Sequence, residues 1–128
     1  MNKGWRSQKF LWGVSSCPYQ HEGGYNGEGQ PKNNWSAWEN SGKVARSGRS
    51  VDFWNRYEED FDRAEMMGLT GYRLGVDWTR IQPSAPPSDF QETAIDRYVD
   101  MIVALRARNL EPLITLCHFT TPQWLGAD

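Results

Sequence analysis

FLWGVSSCPYQHEGG, residues 10–24, begins as an apolar run from Phe10 to Val14 and ends in Gln20, His21, Glu22, Gly23 and Gly24. The first half has the length and character of a short buried strand, expected over residues 10–16. The second half gathers an amide, an imidazole and a carboxylate where that strand stops, which makes it one wall of a binding site. The segment that follows, EGGYNGEGQPKNN over 22–34, is loop by composition. A nucleotide site in a doubly wound sheet needs a glycine-rich turn that opens directly into a helix. Here about thirty residues separate the strand from the next helical pattern, and GGYNGEG opens no helix.

Beyond that loop, NWSAWENSGKVARSG (34–48) shows no sustained period and is expected as loop with a helical turn. SVDFWNRYEEDFDRAEMMG (50–68) changes character. Phe53, Trp54, Tyr57, Phe61, Ala64 and Met67 recur at helical spacing, with Ser50 as the expected N-cap and Gly68 as the left-handed stop. TGYRLGVDW (70–78) alternates Tyr72, Leu74 and Val76 against Arg73, Gly75 and Asp77, the signature of a strand. Pro83, Pro86 and Pro87 exclude regular structure from the next stretch. Residues 89–109 are again helical, with Asp89 and Glu92 as the expected cap, a stripe of Ile95, Tyr98, Ile102 and Leu105, and Asn109 as the stop. EPLITLCHF (111–119) is an apolar strand that Pro122 terminates.

Strands that alternate with helices form parallel βα units. Continuous apolar runs such as PLITLC imply a sheet covered on both faces. Polar residues stand after each strand: Gln20 and Glu22 after the first, Asp77 after the second, His118 after the third. That placement suits a (β/α)8 barrel, whose sites are built at the C-terminal strand ends.

Composition narrows the function. The chain carries 14 Lys and Arg against 16 Asp and Glu, a net charge of −2, with no basic block, so nucleic acid and anionic membrane surfaces are not expected partners. No apolar run reaches the roughly 7–15 residues of a signal-peptide core or the ~20 of a membrane span, and a cytoplasmic protein is expected. Cys17 and Cys117 alone make neither a disulfide framework nor a zinc site, and both are expected as buried free thiols. Seven Trp, five Tyr and five Phe are many for 128 residues. Exposed aromatic faces stack on sugar rings, but each Trp is expected first as core filling.

Three stretches make the reading specific. FLWGVSSCPYQHEGG resembles the N-terminal signature of the family 1 glycoside hydrolases, the β-glucosidase-like enzymes, in which a strand of small residues leads into Gln-x-Glu-Gly. YRLGVDWTRIQP is similar to that family's second strand with its Trp-x-Arg-Ile-x-Pro, and LITLCHFTTPQWL to its third, with Thr-Leu-x-His-Trp-x-x-Pro. The resemblance covers nearly the whole chain. It implies that residues 1–128 form the N-terminal part of a single (β/α)8 barrel, about its first three βα units, in an enzyme that cleaves β-linked sugars with retention. It also implies that Gln20 and His118 hold hydroxyls of the glycone, with Phe119 beside them, and that Arg73 lies beneath and supports the nucleophile. An amide and a neutral imidazole each both donate and accept, as a sugar hydroxyl requires. For Arg73 the simpler alternative is a strand-end ion pair with Glu22 or Asp77. Glu22 and Asp77 are given structural roles.

The chain departs from the pattern at Phe119, where the family has a Trp, and at Thr120, where it has an acid or amide. Pro18 and His21 are also atypical. Those changes leave room for a divergent branch that transfers the glycosyl group to another sugar. Retaining hydrolysis needs two carboxyl groups about 5–5.5 Å apart. The resemblance places them in Asn-Glu and Glu-Asn-Gly contexts on later strands, which this sequence lacks, so no catalytic residue is assigned here and both are expected beyond Asp128. Three strands are under half of a barrel, so an inactive fragment is expected, which associates with the missing portion or with itself through open edges. A non-catalytic carbohydrate-binding or interaction fragment is the alternative. The expected partner is a β-linked carbohydrate, and neither a metal nor an organic cofactor is implied.

Overall fold

The computed structural model describes residues 10–126. Residues 1–9 and 127–128 of the single expected domain lie outside the described residues. Three strands, β1 (Gly13–Ser15), β2 (Gly71–Gly75) and β3 (Glu111–Thr115), form one parallel sheet in the order β1-β2-β3. Val14 pairs with Tyr72, and Leu74 with Ile114. The expected strand-helix alternation is therefore observed. α3 (Phe53–Met66) links β1 to β2, and α5 (Glu92–Ala107) links β2 to β3.

Three shorter helices punctuate the connections: α1 (Pro18–His21), α2 (Asn34–Asn40) and α4 (Trp78–Ile81). α2 occupies a stretch expected as loop with a helical turn, and extends that turn to seven residues. It forms because Asn33 and Ser36 make a reciprocal capping box, with Ser36 N–H donating to Asn33 Oδ1 at 2.8 Å and Asn33 N–H to Ser36 Oγ at 2.9 Å. The second strand is shorter than its alternating pattern. It stops at Gly75, and the Asp77 carboxylate then caps α4 by accepting the Thr79 N–H at 2.7 Å.

The expected caps of the long helices are corrected. Ser50 does not cap α3; its hydroxyl donates to the Gln20 carbonyl. Asp52 takes the N-cap position at φ 56°, with its side chain engaged by the Arg49 and Asn55 side chains rather than by the helix backbone. Gln91, not Asp89, precedes α5, and its carbonyl accepts from Ala94 and Ile95. The two stops are as expected, with Gly68 at φ 71° and Asn109 at φ 57°.

The core lies between α3, α5 and β2. Phe53, Tyr57, Phe61, Tyr72, Leu74, Tyr98, Met101, Leu105 and Leu110 pack there as one cluster. Phe61 is central, edge-on to Tyr72 at 5.0 Å and to Phe53 at 5.8 Å. Ala94 and Met101 take the buried positions on α5 that Ile95 and Ile102 were expected to share. Core filling by Trp holds in part: Trp54 is half-buried against the core cluster, while no Trp among the described residues is fully buried and Trp12 and Trp38 are exposed. The buried aromatics of the core are Tyr and Phe.

The sheet is not covered on both faces along its length. β2 is buried on both sides apart from Arg73, but β1 is exposed throughout, and β3 leaves Leu113 and Ile114 open, as is Leu116 just beyond it. The central strand has a strand on each side, whereas β1 and β3 are each paired on one edge alone among the described residues. Cys117 is exposed for the same reason; Cys17 is buried, and both are free thiols.

Candidate functional site

The C-terminal ends of the three strands carry a buried polar hub with an exposed wall above it. Glu22 is the centre of the hub. Its Oε2 accepts from Arg80 Nε at 2.6 Å and from the Tyr25 hydroxyl at 2.7 Å, and its Oε1 accepts from the Tyr98 hydroxyl at 2.8 Å. The Tyr98 oxygen in turn accepts the Asp77 N–H at 2.9 Å, and Asp77 Oδ2 accepts from Thr120 Oγ1 at 3.2 Å. Arg80 also donates to the Gly23 carbonyl, and its guanidinium lies over Trp54 at 4.1 Å and over Tyr25 at 4.5 Å. One network thus joins the connections after β1, β2 and β3 to α5.

Electrostatics explain why the hub holds. Burial pushes the Glu22 carboxyl above its ordinary range, and Arg80 pulls it back. Burial, then the neighbouring Glu22 charge, keeps Tyr25 and Tyr98 well above their usual range, so both hydroxyls remain donors. Backbone geometry is tight here. A Cβ on Gly75 would come within 2.5 Å of Pro18 Cδ, so only glycine lets α1 sit against the end of β2.

Above the hub, Arg73 and His118 meet. Arg73 Nη2 lies 2.9 Å from His118 Nδ1. A guanidinium has no acceptor, so Nδ1 accepts and the imidazole proton resides on Nε2. Phe119 follows with φ 66°, its ring 4.5 Å from that of His118 and stacked on Trp35 at 6.0 Å. Arg73, His118 and Phe119 are therefore brought together. The expected ion pair of Arg73 with Glu22 or Asp77 is not formed, because Arg80 takes Glu22, and Asp77 is engaged by Thr79 and Thr120.

Gln20 borders the same region from the α1 side. It is exposed near the end of α1 and lines a recess of about 360 Å³ with Tyr19, Trp35, Trp38 and Glu39. Trp35 is the one side chain shared by the recess and the Phe119 wall. Among the described residues no cluster of His, Cys, Asp and Glu could hold a metal ion.

Sequence reasoning did not single out Arg80, Tyr25, Tyr98 or Asn34. Arg80 stands inside the quoted Trp-x-Arg-Ile-x-Pro, and its place three residues before Pro83 was the available signal. Tyr98 read as one more member of an apolar stripe, and nothing local marks its hydroxyl as part of a hub.

Comparison with known proteins gives a single family. A family model described as Glycosyl hydrolase family 1 matches residues 2–128. Beta-glucosidase 47 of Arabidopsis thaliana is 38% identical over 122 residues, covering 92% of this chain and 23% of that protein. Lactase/phlorizin hydrolase of Rattus norvegicus is 33% identical over 91% of the chain and 6% of its own length. Among solved structures, a rice β-glucosidase mutant in a covalent complex with Glc superposes with a TM-score of 0.82 at 32% identity, covering 91% of this chain and 25% of that one. An aphid myrosinase gives 0.80 at 29% identity, with 91% and 26% covered. The chain spans about a quarter of the length of the β-glucosidases it matches. Its sheet and helices are a partial (β/α)8 barrel, as expected.

Proposed function

Because the chain belongs to glycosyl hydrolase family 1, we propose that it supplies the first three βα units of a retaining β-glycosidase and part of the subsite that grips the glycone. In this reading Gln20 and the His118 Nε2–H hold sugar hydroxyls, and Phe119 lies against the ring. Arg73 spends one donor on His118 and keeps others for the catalytic nucleophile. Both carboxyl groups of the reaction come from later strands, so the 128 residues alone do not turn over substrate. The substrate is a β-linked sugar, and the reading includes a cytoplasmic location, which two unpaired cysteines fit.

The observation that carries this is the 2.9 Å contact of Arg73, in the middle of β2, with His118, just past the end of the neighbouring β3, with an exposed aromatic ring beside it. Because the guanidinium occupies Nδ1, Nε2 is the ring nitrogen left to meet a sugar hydroxyl. The test is hydrolysis of an aryl β-glucoside, first by the 128-residue chain alone and then by that chain co-expressed with the remaining barrel strands of a family member. No turnover alone and turnover on complementation support the proposal. Turnover by the chain alone, lost on Glu22→Gln, overturns it.

The exposed Phe119 ring favours a second reading, glycosyl transfer to another sugar. Phe119 keeps the aromatic face and lacks the indole N–H of the expected Trp. The ratio of transfer to hydrolysis products in the complemented enzyme separates the two.

A further inference from the structure

Asn34, the first residue of α2, holds the loop after β3 from both sides. Its Nδ2 donates to the Phe119 carbonyl at 3.2 Å, and its Oδ1 accepts the Thr121 N–H at 3.1 Å. Its backbone N–H donates to the Thr121 carbonyl at 3.1 Å, and an antiparallel bridge pairs Asn33 with Pro122. Phe119 sits inside this clamp at φ 66°, a left-handed conformation that a bulky aromatic residue keeps only when its surroundings enforce it. Trp35, the next residue of α2, backs the Phe119 ring with an interplanar angle of 19°.

We propose that Asn34 is a positioning residue, with Trp35 as its backstop, and that it sets the orientation of the Phe119 and His118 pair toward the sugar. The connection after β1 would then shape the wall at the end of β3, 85 residues away in sequence. This rests on the proposed glycone role of His118 and Phe119. Without the two side-chain hydrogen bonds, Phe119 relaxes to negative φ, its ring leaves Trp35, and the imidazole that adjoins it loses its neighbour. The capping box of Asn33 and Ser36 keeps α2 in place independently of Asn34, so the effect is confined to the loop.

The test is solution NMR on the 128-residue chain, comparing wild type with Asn34→Ala and Asn34→Asp, without and with methyl β-glucoside. The wild type should show cross-relaxation between the Trp35 and Phe119 rings. Asn34→Ala should lose it while core signals from Phe61 and Leu105 stay unchanged. Asn34→Asp keeps the acceptor for Thr121 and loses the donor to Phe119, so it should retain Thr121 amide protection and weaken the ring contact. A folded Asn34→Ala with an intact Trp35–Phe119 contact overturns the proposal. If Asn34→Ala does not fold, an intact contact in Asn34→Asp does the same. Perturbation of His118 by methyl β-glucoside should be several-fold weaker in Asn34→Ala than in wild type, and equal perturbation in both also overturns it. No perturbation in either chain counts against the glycone reading alone, and the ring contact still decides the clamp.

Discussion

Arg80 donates through Nε to the Glu22 carboxylate at 2.6 Å, with only 7% of the one side chain and 1% of the other exposed. A buried pair of this kind stabilises little relative to an apolar replacement of both partners, but losing one partner alone is severe. Here the pair joins the connection after β1 to the one after β2, and Tyr98 extends it to α5. The hub is what keeps three strand ends at fixed separations.

Arg80→Met should therefore cost about 3–5 kcal/mol at neutral pH, read from denaturant unfolding. Burial already raises the Glu22 carboxyl above its ordinary value of 4.5, and removing the Arg80 pull raises it further. A folded-state pKa above the unfolded one gives a contribution that is full below about 4.5 and lost as pH rises through the folded value. The variant should accordingly regain stability on going from pH 8 toward pH 5. A loss that is flat across that range would show that Glu22 does not take up the proton.

Thr120 illustrates why a departure from the family pattern fits this chain. Its hydroxyl donates to Asp77 Oδ2 in a buried setting. An acid at that position would face the Asp77 carboxylate. Thr120→Asp should destabilise the fold by about 2 kcal/mol or more at pH 7 by placing a second buried carboxylate against Asp77. Thr120→Val should cost about 1–3 kcal/mol through the lost donor, and Thr120→Ser, which keeps the hydroxyl, should cost less than either. Denaturant unfolding of the three variants ranks them.

Two aromatic residues of similar size should behave oppositely. Phe61 is fully buried at the centre of the core, whereas Trp12 is 67% exposed. Phe61→Ala should cost roughly 3–5 kcal/mol, and Trp12→Ala less than about 0.5 kcal/mol, in the same thermal or denaturant assay.

The open strands predict association. Val14, Leu113, Ile114 and Leu116 are exposed on strands β1 and β3 or just beyond, and each edge strand offers unpaired backbone groups. Sedimentation should show self-association of the isolated chain at micromolar concentration, reduced by Leu116→Lys with little change in helix content. A monomer that is indifferent to the substitution would mean these surfaces are covered in another way.

In the complemented enzyme, His118→Ala should lower kcat/KM by roughly ten- to a thousand-fold, equivalent to ~1.4–4 kcal/mol. Phe119→Trp should be mild or favourable toward glucosides, because it restores an indole donor beside the imidazole. A silent His118→Ala with a crippling Phe119→Trp would place the sugar elsewhere.

Sequence by itself determined the order and type of the main elements, because helical and strand periodicities are local and Gly68 and Asn109 mark stops by their own backbone preferences. It also placed Glu22, Asp77 and His118 just past their strands, since parallel βα order puts every C-terminal end on one side. What only the tertiary structure decided is partnership. Whether Glu22 pairs with Arg73 or with Arg80 depends on which guanidinium reaches a buried carboxylate, and no spacing within a segment encodes that distance. The same holds for the caps: Ser50 and Asp89 have the right chemistry, yet chain direction into α3 and α5 gave those positions to Asp52 and Gln91. Gln20 and Asn34 show it from the other side. One was expected among the site residues and lies in a neighbouring recess, while the other sat in a stretch without period and grips the loop that carries Phe119, because hydrogen bonds between distant loops are settled by packing and leave no pattern along the chain.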